Sequence, residues 1–148
     1  MTKPKLIALA AFGSFALLAG AFMFQFMGYP PCKMCLWQRY PHAVVIVIGI
    51  LAVLLGRLQT QLAILGAIAA LITGGIGLYH TGVERDWWEG PTSCTGGGAL
   101  SGDLLSTDIA PIVMCDDVVW SLLGLSMASY NALISFGLAA IWIAAARR

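Results

Sequence analysis

Four stretches of this chain are apolar over the roughly 17–25 residues that a helix needs to cross a bilayer. Leu6 to Met27 carries no charge, and the stretch from about Gln38 to Gly56 has the run Ala43–Leu55 at its centre. Leu62 to Tyr79 is rich in Ala, Gly and Ile, and a fourth stretch runs from about Ser129 to Ala146. In hydrocarbon such a span meets its backbone hydrogen bonds internally, as a helix. Only Arg57-Leu58-Gln59-Thr60-Gln61 separates the second from the third, which forces an antiparallel pair. The fold expected is an all-α membrane protein, a single domain over residues 1–148. It is a four-helix transmembrane bundle with two outer loops, the second carrying a short interfacial helix. Charged residues make up 10% of the chain, against about 25% in soluble domains. With a net charge of +1, nothing suggests nucleic-acid binding.

An even number of spans puts both termini on one side. That side holds Lys3, Lys5, Arg57, Arg147 and Arg148 and no acid, whereas Lys33, Arg39, Arg85 and all seven acids lie on the other. The excess of basic residues marks the cytoplasmic side, so the termini are expected in the cytoplasm and the cysteines outside. A cleaved signal peptide is the rival reading of the first span. Its apolar stretch is longer than the roughly 7–15 residues of a signal core and lacks a clean A-x-A site, so a retained span is expected.

The first outer loop, Gly28 to Trp37, contains Pro31-Cys32-Lys33-Met34-Cys35. Pro30 and Pro31 suit the entry to a helix, and Pro41 makes the second span start late or bend. The second outer loop, about His80 to Ala128, begins with a mix of charge and tryptophan and continues into the glycine-rich Thr95 to Gly102. After Cys115, the residues Val119, Leu122, Leu123 and Ser126 recur at helical spacing. Asp116 to Met127 therefore reads as an amphipathic helix lying flat on the membrane.

A CxxC bridge closes so short a loop that it constrains the unfolded chain little. As a redox device it is apt, because small changes in charge move it between dithiol and disulfide. At a helix N-terminus the dipole favours a thiolate, and Arg39, four residues after Cys35, shares its face. A zinc site would want a second closely spaced pair, but Cys94 and Cys115 are far apart in sequence. A c-type haem would want His after Cys35, where Leu36 stands. Cys94 and Cys115 read either as a structural loop bridge or as an exchangeable one. His42 and His80 read as interfacial histidines or as ligands of a b-type haem. No Asp, Glu or Lys lies mid-span, which argues against a transporter's ion site.

In Pro31-Cys32-Lys33-Met34-Cys35-Leu36-Trp37-Gln38-Arg39-Tyr40-Pro41-His42, and in Gly124-Leu125-Ser126-Met127-Ala128 with Tyr130-Asn131, the chain resembles the DsbB family. These are the inner-membrane thiol oxidases of bacterial disulfide formation, and the resemblance covers the whole length. It implies that a periplasmic, DsbA-like thioredoxin-fold partner reduces a Cys94–Cys115 disulfide. Cys115 then exchanges with Cys32, and Cys35 faces a membrane quinone, ubiquinone or menaquinone. Arg39, His80 and Gln38 are the residues it suggests for binding that quinone, although Gln38 stands where some members carry an acid. No metal is implied. A vitamin K epoxide reductase-like protein would carry its CxxC in a late span instead. A structural four-span protein with inert disulfides is the remaining alternative.

Overall fold

The computed structural model describes residues 1–94 and 113–148. The glycine-rich stretch Thr95 to Gly102 lies outside the described residues. Four helices account for most of the chain: α1 (Lys3–Phe26), α2 (Lys33–Leu54), α3 (Gln59–Glu84) and α4 (Met127–Ala146). All four are long and apolar enough to cross a membrane. A 3-10 turn, Gly56–Leu58, joins α2 to α3.

The helices form a ring in which α2 and α4 each pack on both α1 and α3, while α1 and α3 scarcely meet across the centre. Phe12, Phe15, Val47, Leu54 and Ile72 face outward. That is the expected polarity of a bundle whose solvent is lipid, where small residues rather than large ones mediate close helix approach. Ala63, Ala67 and Ala70 of α3 are buried with Ala139 and Trp142 of α4. A Cβ on Gly66 would stand 2.7 Å from the Trp142 ring, so this position has to be glycine for the indole to lie across α3.

Three boundaries differ from the sequence expectation. α2 begins at Lys33 rather than near Gln38 and continues through Pro41. Thr73 Oγ1 donates to the Gln38 carbonyl at 3.0 Å, a side-chain bond in the stretch where the proline interrupts the backbone ladder. α3 extends past Tyr79 to Glu84, which brings His80 and Glu84 into one helical face.

The third difference is a correction. Asp116 to Met127 is not a helix lying on the membrane. Residues 116–120 are irregular, and β1 (Ser121–Leu122) pairs antiparallel with β2 (Leu125–Ser126) in a small hairpin. Its two-residue turn, Leu123-Gly124, has φ of 53° and 76°. Positive φ at both central residues marks the turn whose twist matches paired strands. The apolar spacing imitates a helix, but Gly124 favours the turn. The hairpin is tied down by Arg85, which donates to the Gly124 carbonyl at 2.9 Å, and by Tyr130, whose hydroxyl donates to Leu122 O at 3.1 Å. Ser126 then caps α4 by accepting from the Ser129 N–H.

Candidate thiol exchange site

Cys32 is the N-cap of α2, and its sulfur accepts the Cys35 N–H at 3.2 Å. The cap places Cys35 one turn into the helix with its sulfur 2.9 Å from that of Cys32, both as free thiols. The hydrogen bond that Cys32 donates to Cys35, followed by burial, pushes the Cys32 thiol well above the ordinary thiol range. Cys32 is therefore the sulfur that keeps its proton in the dithiol.

Cys94 and Cys115 form a disulfide with Cα atoms 5.3 Å apart. The Cys115 N–H donates to the Cys94 carbonyl at 2.6 Å. The bridge packs in one buried cluster with Cys32, Met34 and Val83, with Cys35 at its edge. All four sequence-predicted cysteines thus meet at the end of the bundle away from the termini. The position of Cys94 before the glycine run suggests exposure, but the structure gives it 4% and Cys115 0%. The bridge is covered because it rests on the cap of α2 and the last turn of α3.

His80 sits behind the CxxC. Its Nε2 is 3.6 Å from Cys32 Sγ and its ring lies beside the Cys115 backbone, so it touches both pairs. Glu84, one turn on, is 3.8 Å from His80 Nε2 and accepts from the Ser126 hydroxyl. The ligand atoms of Cys32, Cys35 and His80 lie within 4.8 Å of one another, three donors of the kind a metal could use. A disulfide packed against the same sulfurs fits thiol exchange better than a closed four-ligand metal centre.

On the other side of Cys35 opens a cavity of ≈ 350 Å³ between α1, α2, α4 and the hairpin. Cys35, Gln38, Arg39, His42 and Asn131 supply its polar wall, and Phe24, Tyr29, Trp120 and Tyr130 supply aromatic surface. Arg39 Nη1 donates to Gln25 Oε1 at 2.6 Å and Nη2 to the Ala21 carbonyl at 3.2 Å. Its Nε is buried with no partner among the described residues. Gln38 and Arg39, two of the residues that the resemblance suggests for quinone binding, are on the cavity wall. His80, the third of them, is not on this wall. The reason is angular: His80 is on α3, behind the CxxC cap, while the cavity opens toward α1.

His42 and His80, the candidate haem pair, are linked to each other through side-chain amides. His80 Nδ1 meets Gln38, Gln38 meets Asn131 at 2.6 Å, and Asn131 meets His42 at 2.8 Å. Asn131 and Thr73 carry no charge that would mark them within an apolar span. Uncharged amides and hydroxyls flanked by apolar residues are the signal that finds them, since each must seek a partner inside the bundle.

Fold and site together define a multi-pass helical membrane protein whose two cysteine pairs converge at one end of the bundle. Comparison with known proteins agrees. The family described as "Disulfide bond formation protein DsbB" matches residues 3–145. A disulfide bond formation protein B of Azoarcus sp. (strain BH72) is 29% identical over 99% of this chain and 94% of its own length. One from Verminephrobacter eiseniae (strain EF01-2) is 33% identical over 89% of this chain and 79% of its own length. An uncharacterized protein of Rickettsia prowazekii (strain Madrid E) is 28% identical over 72% of this chain and 66% of its own length. No solved structure matches significantly. The chain belongs to the DsbB family of disulfide bond formation proteins.

Proposed function

We propose that this protein is a thiol:quinone oxidoreductase of the bacterial inner membrane that re-oxidises a DsbA-like periplasmic dithiol. The observation that carries this reading is the position of Cys35. It is in sulfur contact with Cys32, next to the Cys94–Cys115 bridge, and is also the cysteine on the cavity wall. The cavity fits a quinone: it has aromatic and aliphatic walls and a buried donor, Arg39 Nε–H, that has no partner among the described residues. Arg39 would hold the ring, and Gln38 and His42 line the same wall. When bound, the quinone supplies the sink, taking two electrons and two protons.

The partner's two thiols reduce Cys94–Cys115 and leave as a disulfide. With Cys32 and Cys35 oxidised, Cys115 attacks Cys32 and Cys35 leaves as thiolate. Cys94 then displaces Cys32, which restores the loop bridge and leaves the CxxC as the dithiol. That is the arrangement described here, poised to give its two electrons and two protons to the sink. With Nδ1 facing the Gln38 amide N–H, His80 turns its Nε2–H toward Cys32 and can stabilise that sulfur as it leaves as a thiolate. A partner as oxidising as DsbA, at about −120 mV, needs such a sink, because ordinary thiol acceptors are more reducing. The basic-residue asymmetry supports termini in the cytoplasm and cysteines in the periplasm.

Anaerobic titration of the purified protein with a short-chain ubiquinone tests the reading. Reduced protein should lose two thiols per quinone consumed. Thiol content that is indifferent to quinone rejects it.

A further inference from the structure

Two backbone carbonyls settle which way the amides between the histidines point. Gln38 Nε2 donates to the Met34 carbonyl at 3.3 Å, and a carbonyl only accepts. The same Nε2 meets His80 Nδ1 at 2.9 Å, and Gln38 Oε1 accepts from Asn131 Nδ2 at 2.6 Å. Asn131 Nδ2 also donates to the Thr73 carbonyl at 3.4 Å, so the atom facing His42 is Oδ1. The Ser135 hydroxyl donates to that Oδ1 as well, at 3.2 Å.

His42 Nε2 must therefore carry the hydrogen that it gives to Asn131 at 2.8 Å. In the neutral ring this leaves Nδ1 as a bare lone pair. His42 is 3% exposed, and its Nδ1 is buried with no partner among the described residues. His42 is one of the residues that line the cavity with Cys35 and Arg39. A buried acceptor without a donor is costly, and buried polar atoms of this kind are normally paired.

We propose that His42 Nδ1 is the acceptor for a hydroxyl of the reduced quinone, so that this cavity binds hydroquinone more tightly than quinone. The proposal rests on the quinone reading above. An oxidised quinone ring offers only acceptor oxygens, which a lone pair repels, whereas hydroquinone offers hydroxyl donors. Arg39 Nε–H serves both forms, because a hydroxyl oxygen also accepts. The two electrons and two protons that separate the forms come from the Cys32/Cys35 dithiol, which closes to a disulfide. Each tenfold preference for the reduced form raises the potential of a bound two-electron couple by about 30 mV. Such a preference draws electrons out of the CxxC. Asn131 acts as a positioning residue, because its Oδ1 holds the His42 tautomer with the lone pair on Nδ1.

The test uses the full-length protein with Cys32→Ser and Cys35→Ser, which removes electron transfer and adduct formation and keeps a good N-cap. Equilibrium dialysis under argon measures its affinity for a short-chain ubiquinone and for the matching hydroquinone. Hydroquinone should bind about tenfold more tightly, the effect of one well-placed hydrogen bond. His42→Gln keeps an amide near the Nε2 position, able to bond Asn131, and lacks Nδ1. It should lose the preference while its affinity for the quinone stays, which also shows that the cavity is intact. His42→Asn, with an acceptor near Nδ1, should keep the preference. Equal affinities for the two forms in the parent, or an undiminished preference in His42→Gln, would overturn the role of His42 alone. If the parent binds neither form, the quinone reading itself fails.

Discussion

Replacing Arg39 with Ala should separate the proposed quinone binding from thiol exchange, because Arg39 lines the cavity and its side-chain hydrogen bonds among the described residues go to α1 and not to the sulfurs. Its two Nη groups are spent on α1, at Gln25 and Ala21, and the guanidinium lies 4.7 Å from the Phe22 ring centroid. Nε is the donor left for a bound ring. A hydrogen bond from a charged donor contributes roughly 1.5–3 kcal/mol. Arg39→Ala should therefore raise the KM for quinone by about ten- to a hundredfold. The tie to α1 sits at the rim of a contact that is otherwise apolar, and losing it should cost about 1 kcal/mol of stability. Gln25→Ala controls for that loss, since it loosens the tie and keeps Nε. Its KM should move far less. Arg39→Lys should recover only part of the function, because a point charge replaces the planar fork. The assay is quinone-dependent turnover at saturating reduced partner, run beside quinone-free formation of the partner mixed disulfide. An unchanged KM in Arg39→Ala, or an equal loss of mixed disulfide, refutes the assignment.

Partner attack should fall on Cys94, because the exposed carboxylates of Asp116 and Asp117 follow Cys115 directly and repel an approaching thiolate. A partner retaining one reactive cysteine should form a stable adduct with Cys115→Ala and little with Cys94→Ala, read on non-reducing gels; the reverse pattern reverses the relay. In a chain freed of its own cysteines, a Cys at Gln61 should label only after the cells are permeabilised, and one at Ser93 before. Labelling of Gln61→Cys in intact cells inverts the proposed orientation. Gly66→Ala drives a methyl into the Trp142 ring at 2.7 Å and should cost about 1–3 kcal/mol as overpacking. A thermal midpoint equal to that of the parent in detergent would show that α3 and α4 are not held at this distance.

The spans were legible because hydropathy over twenty residues needs no tertiary knowledge. Their ends were less so. Lys33 to Gln38 and His80 to Glu84 look like loop in a hydropathy reading, yet both continue as helix because Gln38, His80 and Glu84 find partners in one another's neighbourhood. The helix expected at Asp116 to Met127 failed for a different reason: a period of 3.6 in four side chains was outweighed by the turn chemistry of Leu123-Gly124. Cys32, Cys35, Arg39 and Gln38 were found from the motif. Asn131, in the Tyr130-Asn131 pair at the start of the last span, has no charge to mark it, and only the folded bundle sets it beside His42 and Gln38.

The chemistry of the site explains why it lies where it does. Thiol exchange needs an ionised sulfur, and a charge at mid-membrane is expensive. At the N-terminus of α2 Cys35 accepts the Cys32 S–H, and the helix dipole favours negative charge there. The requirement is thus met by backbone at the bundle's end. Deeper in the bundle, the polar contacts of Gln38, Thr73, Asn131, His42 and Ser135 run through neutral groups. An amide network of this kind moves no charge, but it can fix which nitrogen of each imidazole bears the hydrogen. His80 then presents Nε2 to Cys32 and His42 keeps a free lone pair at the cavity. A charged residue in place of Asn131 would carry a desolvation cost and also surrender that control, since either imidazole could then change protonation with its neighbour. The orientation of two histidines, set by two backbone carbonyls, is what the interior polar residues contribute to this fold.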